Sequence, residues 1–264
     1  MKLIRKVIIL LIGIIIILGN KPAYASNEFQ IYVNNENKVV LDKYLLSKER
    51  ILEQQVDVEA KDTKIPDVII PDNVNIINDE AFLGCKVQSV SMSNSVEKVG
   101  QSAFYDSYVR EINLSDNITL IDDGAFSCCN FKNIKLPSKL KFIGNGAFYG
   151  CAFLKSISIP NAVETIGSSA FKLTHLETAY IPKSVTKIGY HAFEDKTLII
   201  GEYGSEAEHF AKENGNKFMT KKEKAIYDKR IKIMKTSLPI VIQITIITII
   251  IVAIIVRNKK NKSS

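Results

Sequence analysis

The chain has 264 residues and a formal net charge of +7, but its basic excess sits at the two ends. Residues 1–25 and 257–264 each hold four basic residues and no acidic one, residues 217–235 hold eight basic and two acidic, and residues 26–216 hold 19 basic and 26 acidic, a net of −7. The central body is therefore mildly acidic, and nucleic-acid binding has no basic face to rest on.

Residues 1–25 read as a secretory signal peptide. Lys2, Arg5 and Lys6 give a positive start, Val7 to Leu18 is apolar apart from Gly13, and Ala23-Tyr24-Ala25 supplies an A-x-A cleavage site. An uncleaved N-terminal anchor is the rival, because the run is rich in isoleucine. Residues 26–64 follow as an N-terminal cap. Within them, Phe29 to Val33 and Val39 to Leu45 read as the two arms of a hairpin, with Asn34 to Asn37 at the turn.

Residues 65–200 repeat. An Ala-Phe pair recurs with Phe at 82, 104, 126, 148, 171 and 193, at intervals of 22, 22, 22, 23 and 22. A fixed period in the twenties signals a solenoid. Ahead of each Ala-Phe pair stand two apolar residues three apart: Val74/Ile77, Val96/Val99, Ile118/Ile121, Leu140/Ile143, Val163/Ile166 and Val185/Ile188. That spacing predicts one face of a tight helical turn. Behind it runs an alternating segment, such as Ile112-x-Leu114 or Ile157-x-Ile159, which predicts a strand. Pro71, Pro137, Pro160 and Pro182 end four of these strands, while Ser93 and Ser115 stand in the two middle units.

One unit is thus a strand, a turn and a helical or irregular return. Alone it cannot bury its phenylalanine; stacked, six rings form an internal spine. "IGNGAFYGC", Ile143 to Cys151, is then a corner of the coil and not a phosphate cradle, which needs a lysine and a strand-loop-helix setting. Cys85, Cys129 and Cys151 take the third position after the phenylalanine, where other units have Ser107 and Thr174. The position therefore reads as a slot for a small buried residue. A Cys129–Cys151 bridge between stacked units stays conceivable.

The phrase "ISIPNAVETIGSSAFKLTHLETAYIP", Ile157 to Pro182, resembles the BspA-like leucine-rich repeats of microbial surfaces, and the likeness covers roughly residues 65 to 218. It implies an α/β repeat solenoid, a curved leucine-rich-repeat coil with one parallel β-sheet face. Two departures stand out: Cys128, where glycine is usual, and "YDSYV" in the second unit. The family includes adhesins and receptors, so the resemblance implies fold more narrowly than function.

Residues 201–218 resemble the family's closing cap. Ser205 with Glu208 predicts a capping box, Ala207, Phe210 and Ala211 an apolar helix face, and Gly215 the helix end. Residues 219–237 are a basic linker, either solvated or lying on anionic lipid by Ile226, Ile231 and Met234. Leu238 to Val256 reads as a transmembrane helix: its 19 residues contain only Gln243, Thr245 and Thr248 as polar members. Residues 257–264, with Arg257, Lys259, Lys260 and Lys262, then fit a cytoplasmic tail.

Catalysis finds no support. His175, His191 and His209 have no serine, cysteine or carboxylate at catalytic spacing, "SEAEH" offers one histidine where a zinc helix needs two, and no cofactor motif is present. Binding is the open possibility. The outward residues of the strands, from Ser89 and Ser91 onward, form the exposed face, and Glu111, Asn113, Asn133, Lys135, Ser156, Ser158, Thr178 and Tyr180 are its candidate binding residues. Only Tyr180 among them is a residue type favoured at interface hot spots. A solvated sheet, or an aromatic edge at Tyr105 and Tyr149, are the alternatives. Two functions follow. One is a membrane-anchored surface protein binding a protein or cell-surface macromolecule, as in adhesion. The other is a scaffold docking onto another exported or membrane protein beneath a cell wall. The linker, which extends at most about 65 Å, favours the second in a thick-walled cell.

Overall fold

A computed structural model describes residues 29–44 and 67–235. Residues 1–28, 45–66 and 236–264 lie outside the described residues, and with them the expected signal peptide (1–25), part of the expected cap (26–64), the expected transmembrane stretch 238–256 and the tail 257–264. The chain divides into two units, Met1–Phe218 and Met219–Ser264.

The first unit is a parallel β-solenoid. Strands β1 (Phe29–Val33) and β2 (Val39–Tyr44) form an antiparallel hairpin. After it, three-residue and two-residue strands alternate: β3 (Asp67–Ile69), β4 (Ile76–Ile77), β5 (Ser89–Ser91), β6 (Lys98–Val99), β7 (Glu111–Asn113) and β8 (Leu120–Ile121). They continue as β9 (Phe142–Ile143), β10 (Ser156–Ser158), β11 (Thr165–Ile166), β12 (Thr178–Tyr180), β13 (Lys187–Ile188) and β14 (Leu198–Gly201). Helix α1 (Glu206–Asn214) closes the stack.

The return limb differs from the helical turn that the spacing predicts, so the α/β reading with one sheet face is corrected to a solenoid with two. The two-residue strands pair in parallel into a second sheet of order β1-β2-β4-β6-β8-β9-β11-β13. The spacing of three has a different origin. Val74 N–H donates to Pro71 O, Leu140 to Pro137 O and Val163 to Pro160 O, so the first apolar residue of each pair closes a β-turn and the second already lies in a strand. The middle units make the same turn from Ser93 and Ser115. A two-residue strand has no periodicity of its own; its ladder comes from the coils on either side.

The Ala-Phe corner forms a third line of contacts. Phe82 N–H donates to Ala103 O, Phe104 to Ala125 O, Phe126 to Ala147 O, Phe148 to Ala170 O and Phe171 to Ala192 O. In the first four units the residues two before and two after the phenylalanine also donate upward, as Gly124 does to Asn145 O and Gly150 to Lys172 O. They are left-handed: Gly124 (φ 63°) and Gly146 (58°) before, Gly84 (64°) and Gly150 (70°) after. This repeated need explains Cys128, which stands where glycine is usual and takes φ 59°. Leu173 holds the same place in the fifth unit at φ 56° with its side chain 52% exposed. A left-handed conformation costs a residue with a Cβ about 1–2 kcal/mol, part of which glycine returns through its freer unfolded chain. Leu173→Gly is therefore expected to raise stability by about 1 kcal/mol in urea unfolding; a loss would mean that leucine's packing outweighs the strain.

The interior is the aromatic spine. Phe82, Phe104, Phe126, Phe148, Phe171 and Phe193 are all fully buried. Successive ring centroids lie 4.6, 5.2, 5.5, 5.1 and 5.1 Å apart with planes within 15°. Tyr44 of the hairpin stacks on Phe82 at 5.1 Å, and Phe210 of α1 meets Phe193 edge-on at 5.9 Å. Both ends of the spine are thus covered by an aromatic from outside the repeat. In α1, Ala207, Phe210 and Ala211 are buried and Gly215 (φ 72°) ends the helix. Ser205 is the N-cap, but the reciprocal capping box does not form. Its hydroxyl donates back to Glu202 O, and the Glu208 carboxylate accepts from Gly204 N–H.

In the second unit a helix spans 221–235. Here a reciprocal box is present at Thr220: Glu223 N–H donates to Thr220 Oγ1 at 3.2 Å, and Thr220 N–H to the Glu223 carboxylate at 2.8 Å. Lys224 and Asp228 pair one turn apart. Among the described residues no helix is long and apolar enough to cross a membrane.

Candidate binding face

The long-strand side of the solenoid is exposed and polar. In β3, β5, β7, β10 and β12 the central residue is buried and its two neighbours face out. Short polar side chains bridge neighbouring coils there, as in Ser89 Oγ donating to Asp67 Oδ1 at 2.7 Å and Asn113 Nδ2 to Ser91 Oγ at 3.2 Å. Of the candidate residues, Glu111, Asn113, Asn133, Lys135, Ser156 and Ser158 are exposed, while Thr178 and Tyr180 are half-buried.

This face is not one sheet. β3-β5-β7 form one block and β10-β12-β14 begin another. Between them Asn133, Ile134 and Lys135 form no strand, and no main-chain hydrogen bond joins residues 132–136 to the coil on either side. The expectation of a continuous sheet is corrected at this point.

Two departures from the repeat flank the break. The slot held by Val87, Val109, Leu154 and Leu176 in other units is filled by Phe131, fully buried and edge-on to Phe126 and Phe148 at 6.2 Å each. An oversized side chain in a packed slot displaces the chain that carries it. The second departure is the 23-residue interval. Leu154 follows Phe148 by six positions where Val109 follows Phe104 by five, so one extra residue enters the corner, and Phe153 stands 51% exposed.

The seam opens a solvent-exposed groove of about 830 Å³. Glu111, Asn113, Asn133 and Lys135 line it with Tyr108, Arg110, Asn130, Lys132 and Phe153, whereas Ser156, Ser158, Thr178 and Tyr180 lie outside it on the second block. Sequence reasoning missed Tyr108, Arg110, Asn130, Lys132 and Phe153. The signal that would have found them was the 23-residue interval, read as an insertion. Arg110 and Tyr108 hold each other by a hydrogen bond, and the guanidinium lies 4.7 Å from the ring centroid.

Among the described residues no group of three or more His, Cys, Asp or Glu is placed to hold a metal. His175 and His209 are exposed, and His209 faces Glu213 at 3.3 Å. All four cysteines are free. Cys129 and Cys151 donate to the Phe104 and Phe126 carbonyls at 3.1 Å each. Burial pushes the Cys85 thiol up to about 11, Cys129 up to about 12 and Cys151 well above its ordinary value. These three stay protonated near neutrality and are packing groups, not nucleophiles.

Short parallel strands, a buried aromatic ladder and an outward polar face define a leucine-rich-repeat β-solenoid. The BspA type leucine rich repeat region matches residues 60–119 and 75–199 in six copies, and the chain belongs to that family. Solved structures similar to it include a leucine-rich repeat protein of T. pallidum (23% identity, TM-score 0.53), with 75% of this chain and 98% of that one covered. A leucine-rich repeat protein of Bacteroides ovatus matches at 18% identity and TM-score 0.42, covering 69% of this chain and 56% of its own. The pneumococcal vaccine antigen PcpA matches at 17% and 0.47, covering 75% and 49%. At these identities the likeness is one of fold. No curated protein sequence matches the chain.

Proposed function

We propose that this protein is a non-enzymatic binding scaffold, exported by residues 1–25 and held at the cell membrane by residues 238–256. In this reading the solenoid outside the membrane engages another protein or a cell-surface macromolecule. The observation that carries it is the long-strand face: an ordered, solvent-exposed surface on a stiff stacked core, which is how repeat solenoids present themselves to partners. The membership of the chain in the BspA type leucine rich repeat family, whose repeats resemble those of microbial surfaces, supports an exported location. The net of −7 over residues 26–216 supports a protein partner over nucleic acid. Adhesion is the use that an exposed membrane favours; docking onto a neighbouring exported or membrane protein is the use that a thick wall favours, since the linker is short.

The test is to express the tagged full chain, treat intact cells with protease and identify proteins captured by the undigested chain. Removal of the solenoid by external protease supports surface adhesion, and protection supports the docking use. Recovery of the chain in the soluble cytosolic fraction, or no specific captured protein, would count against the reading as a whole.

A further inference from the structure

The seam is an unusual place in a solenoid. Parallel coils normally satisfy their main-chain groups on both neighbours, and the loss of pairing at one internal coil leaves a strand edge open within the sheet. β7 pairs with β5 on one side, and among the described residues no partner strand lies on the other. Residues 132–136 add further main-chain groups that no neighbouring coil satisfies. An open edge of this kind is a template for an added extended segment.

The charge around it selects what that segment carries. Arg110, Lys132 and Lys135 line the groove against one carboxylate, Glu111, and among the described residues none of the three cations is in an ion pair. This local excess sits on a body whose net is −7. Three lysines outside the groove are paired, Lys38 with Glu97 at 2.7 Å, Lys98 with Asp122 at 3.2 Å and Lys141 with Glu164 at 3.9 Å. Tyr108 and Phe153 add aromatic surface at the rim.

We infer that the groove lined by β7 and residues 132–135 binds an extended acidic peptide segment of a partner protein. Its main chain pairs with the open edge and its carboxylates meet Arg110, Lys132 and Lys135. This rests on the binding-scaffold reading and narrows it to one partner chemistry. The inserted residue and the oversized Phe131 are then what hold the seam open.

The experiment uses the purified full chain in a nonionic detergent and a labelled ten-residue peptide alternating glutamate and threonine. Controls are the same peptide with lysine for glutamate, one with alternate main-chain nitrogens methylated, and heparin as an anionic polysaccharide. The acidic peptide is expected to bind, and both peptide controls to fail. Replacing all three cations (Arg110→Gln, Lys132→Gln, Lys135→Gln) weakens binding about tenfold or more, the sum expected of three exposed charge pairs. A second variant, Phe131→Leu with Phe153 deleted, restores the regular repeat and keeps every charge. It too loses binding, and its circular dichroism and melting temperature show that the fold is kept. Full affinity in that folded variant, equal binding of the N-methylated peptide, or heparin binding with none of the acidic peptide would overturn the inference. If intact cells yield one identified partner captured equally by wild type and both variants, the groove is wrong while the scaffold reading stands.

Discussion

Replacing Phe148 by alanine is expected to destabilise the solenoid by about 3–5 kcal/mol, the range for a large aromatic removed from a packed core. Phe148 sits in the middle of the spine, stacked on Phe126 at 5.5 Å and Phe171 at 5.1 Å and met edge-on by Phe131 at 6.2 Å. Deletion therefore removes three aromatic contacts at once and leaves a void between coils held together by main-chain hydrogen bonds at the Ala-Phe corner and the return strands, and on the Phe171 side by the β10–β12 pairing as well. The void cannot collapse without breaking them. The position adds a second consequence. Each coil of a solenoid contacts only its neighbours, so a weak central interface uncouples the two halves. Urea unfolding followed by circular dichroism should lose its single transition and show a state with one half folded. A loss below about 1 kcal/mol with one sharp transition would show that the ring is not a structural centre.

The spine was legible in the sequence because its signal is redundant: six Ala-Phe pairs at a near-constant interval leave one way to bury the rings. The outward alternation of the long strands was legible for the same reason. The return strands were not. "II" at 76–77 or "KV" at 98–99 is too short to show a period, and its hydrogen bonds come from coils 22 residues away. The break at residues 133–135 was hidden more deeply. Ile134-x-Leu136 has the same pattern as Ile112-x-Leu114, and what separates them lies upstream in Phe131 and downstream in the extra residue before Leu154. Half of the candidate face falls at this seam and half beyond it. Alternation reports which way a side chain points; whether neighbouring coils remain paired depends on the volume of residues elsewhere in the unit.

Gly167→Ala is the second large expected effect, about 3 kcal/mol of lost stability, at the upper end of typical overpacking costs. No left-handed conformation is involved at this position, so the usual unfolded-state argument favours alanine by about 0.4–1 kcal/mol. Sterics reverse the sign. A Cβ on Gly167 would stand 2.5 Å from Asn145 N and from Gly144 C, and 2.7 Å from Gly144 O, all main-chain atoms of the coil beneath. Gly144 and Gly189 meet the preceding coil in the same way, at 2.5 and 2.3 Å. These atoms cannot rotate aside as a side chain would; the coils must separate. That strains the β9–β11 pairing directly below and the neighbouring Ser168 N–H, which donates to Asn145 Oδ1 at 2.8 Å. Asn78 and Asp122 hold the equivalent place in the first and third units. There the coils admit a side chain, and it is used: Asn78 donates to Asp42, and Asp122 meets Lys98 at 3.2 Å. The fifth unit has no such accommodation. Urea unfolding of Gly167→Ala beside wild type measures the difference. A cost under about 1 kcal/mol would mean that the fifth coil opens as readily as the third, and that the glycines there are not set by the closeness of the stack.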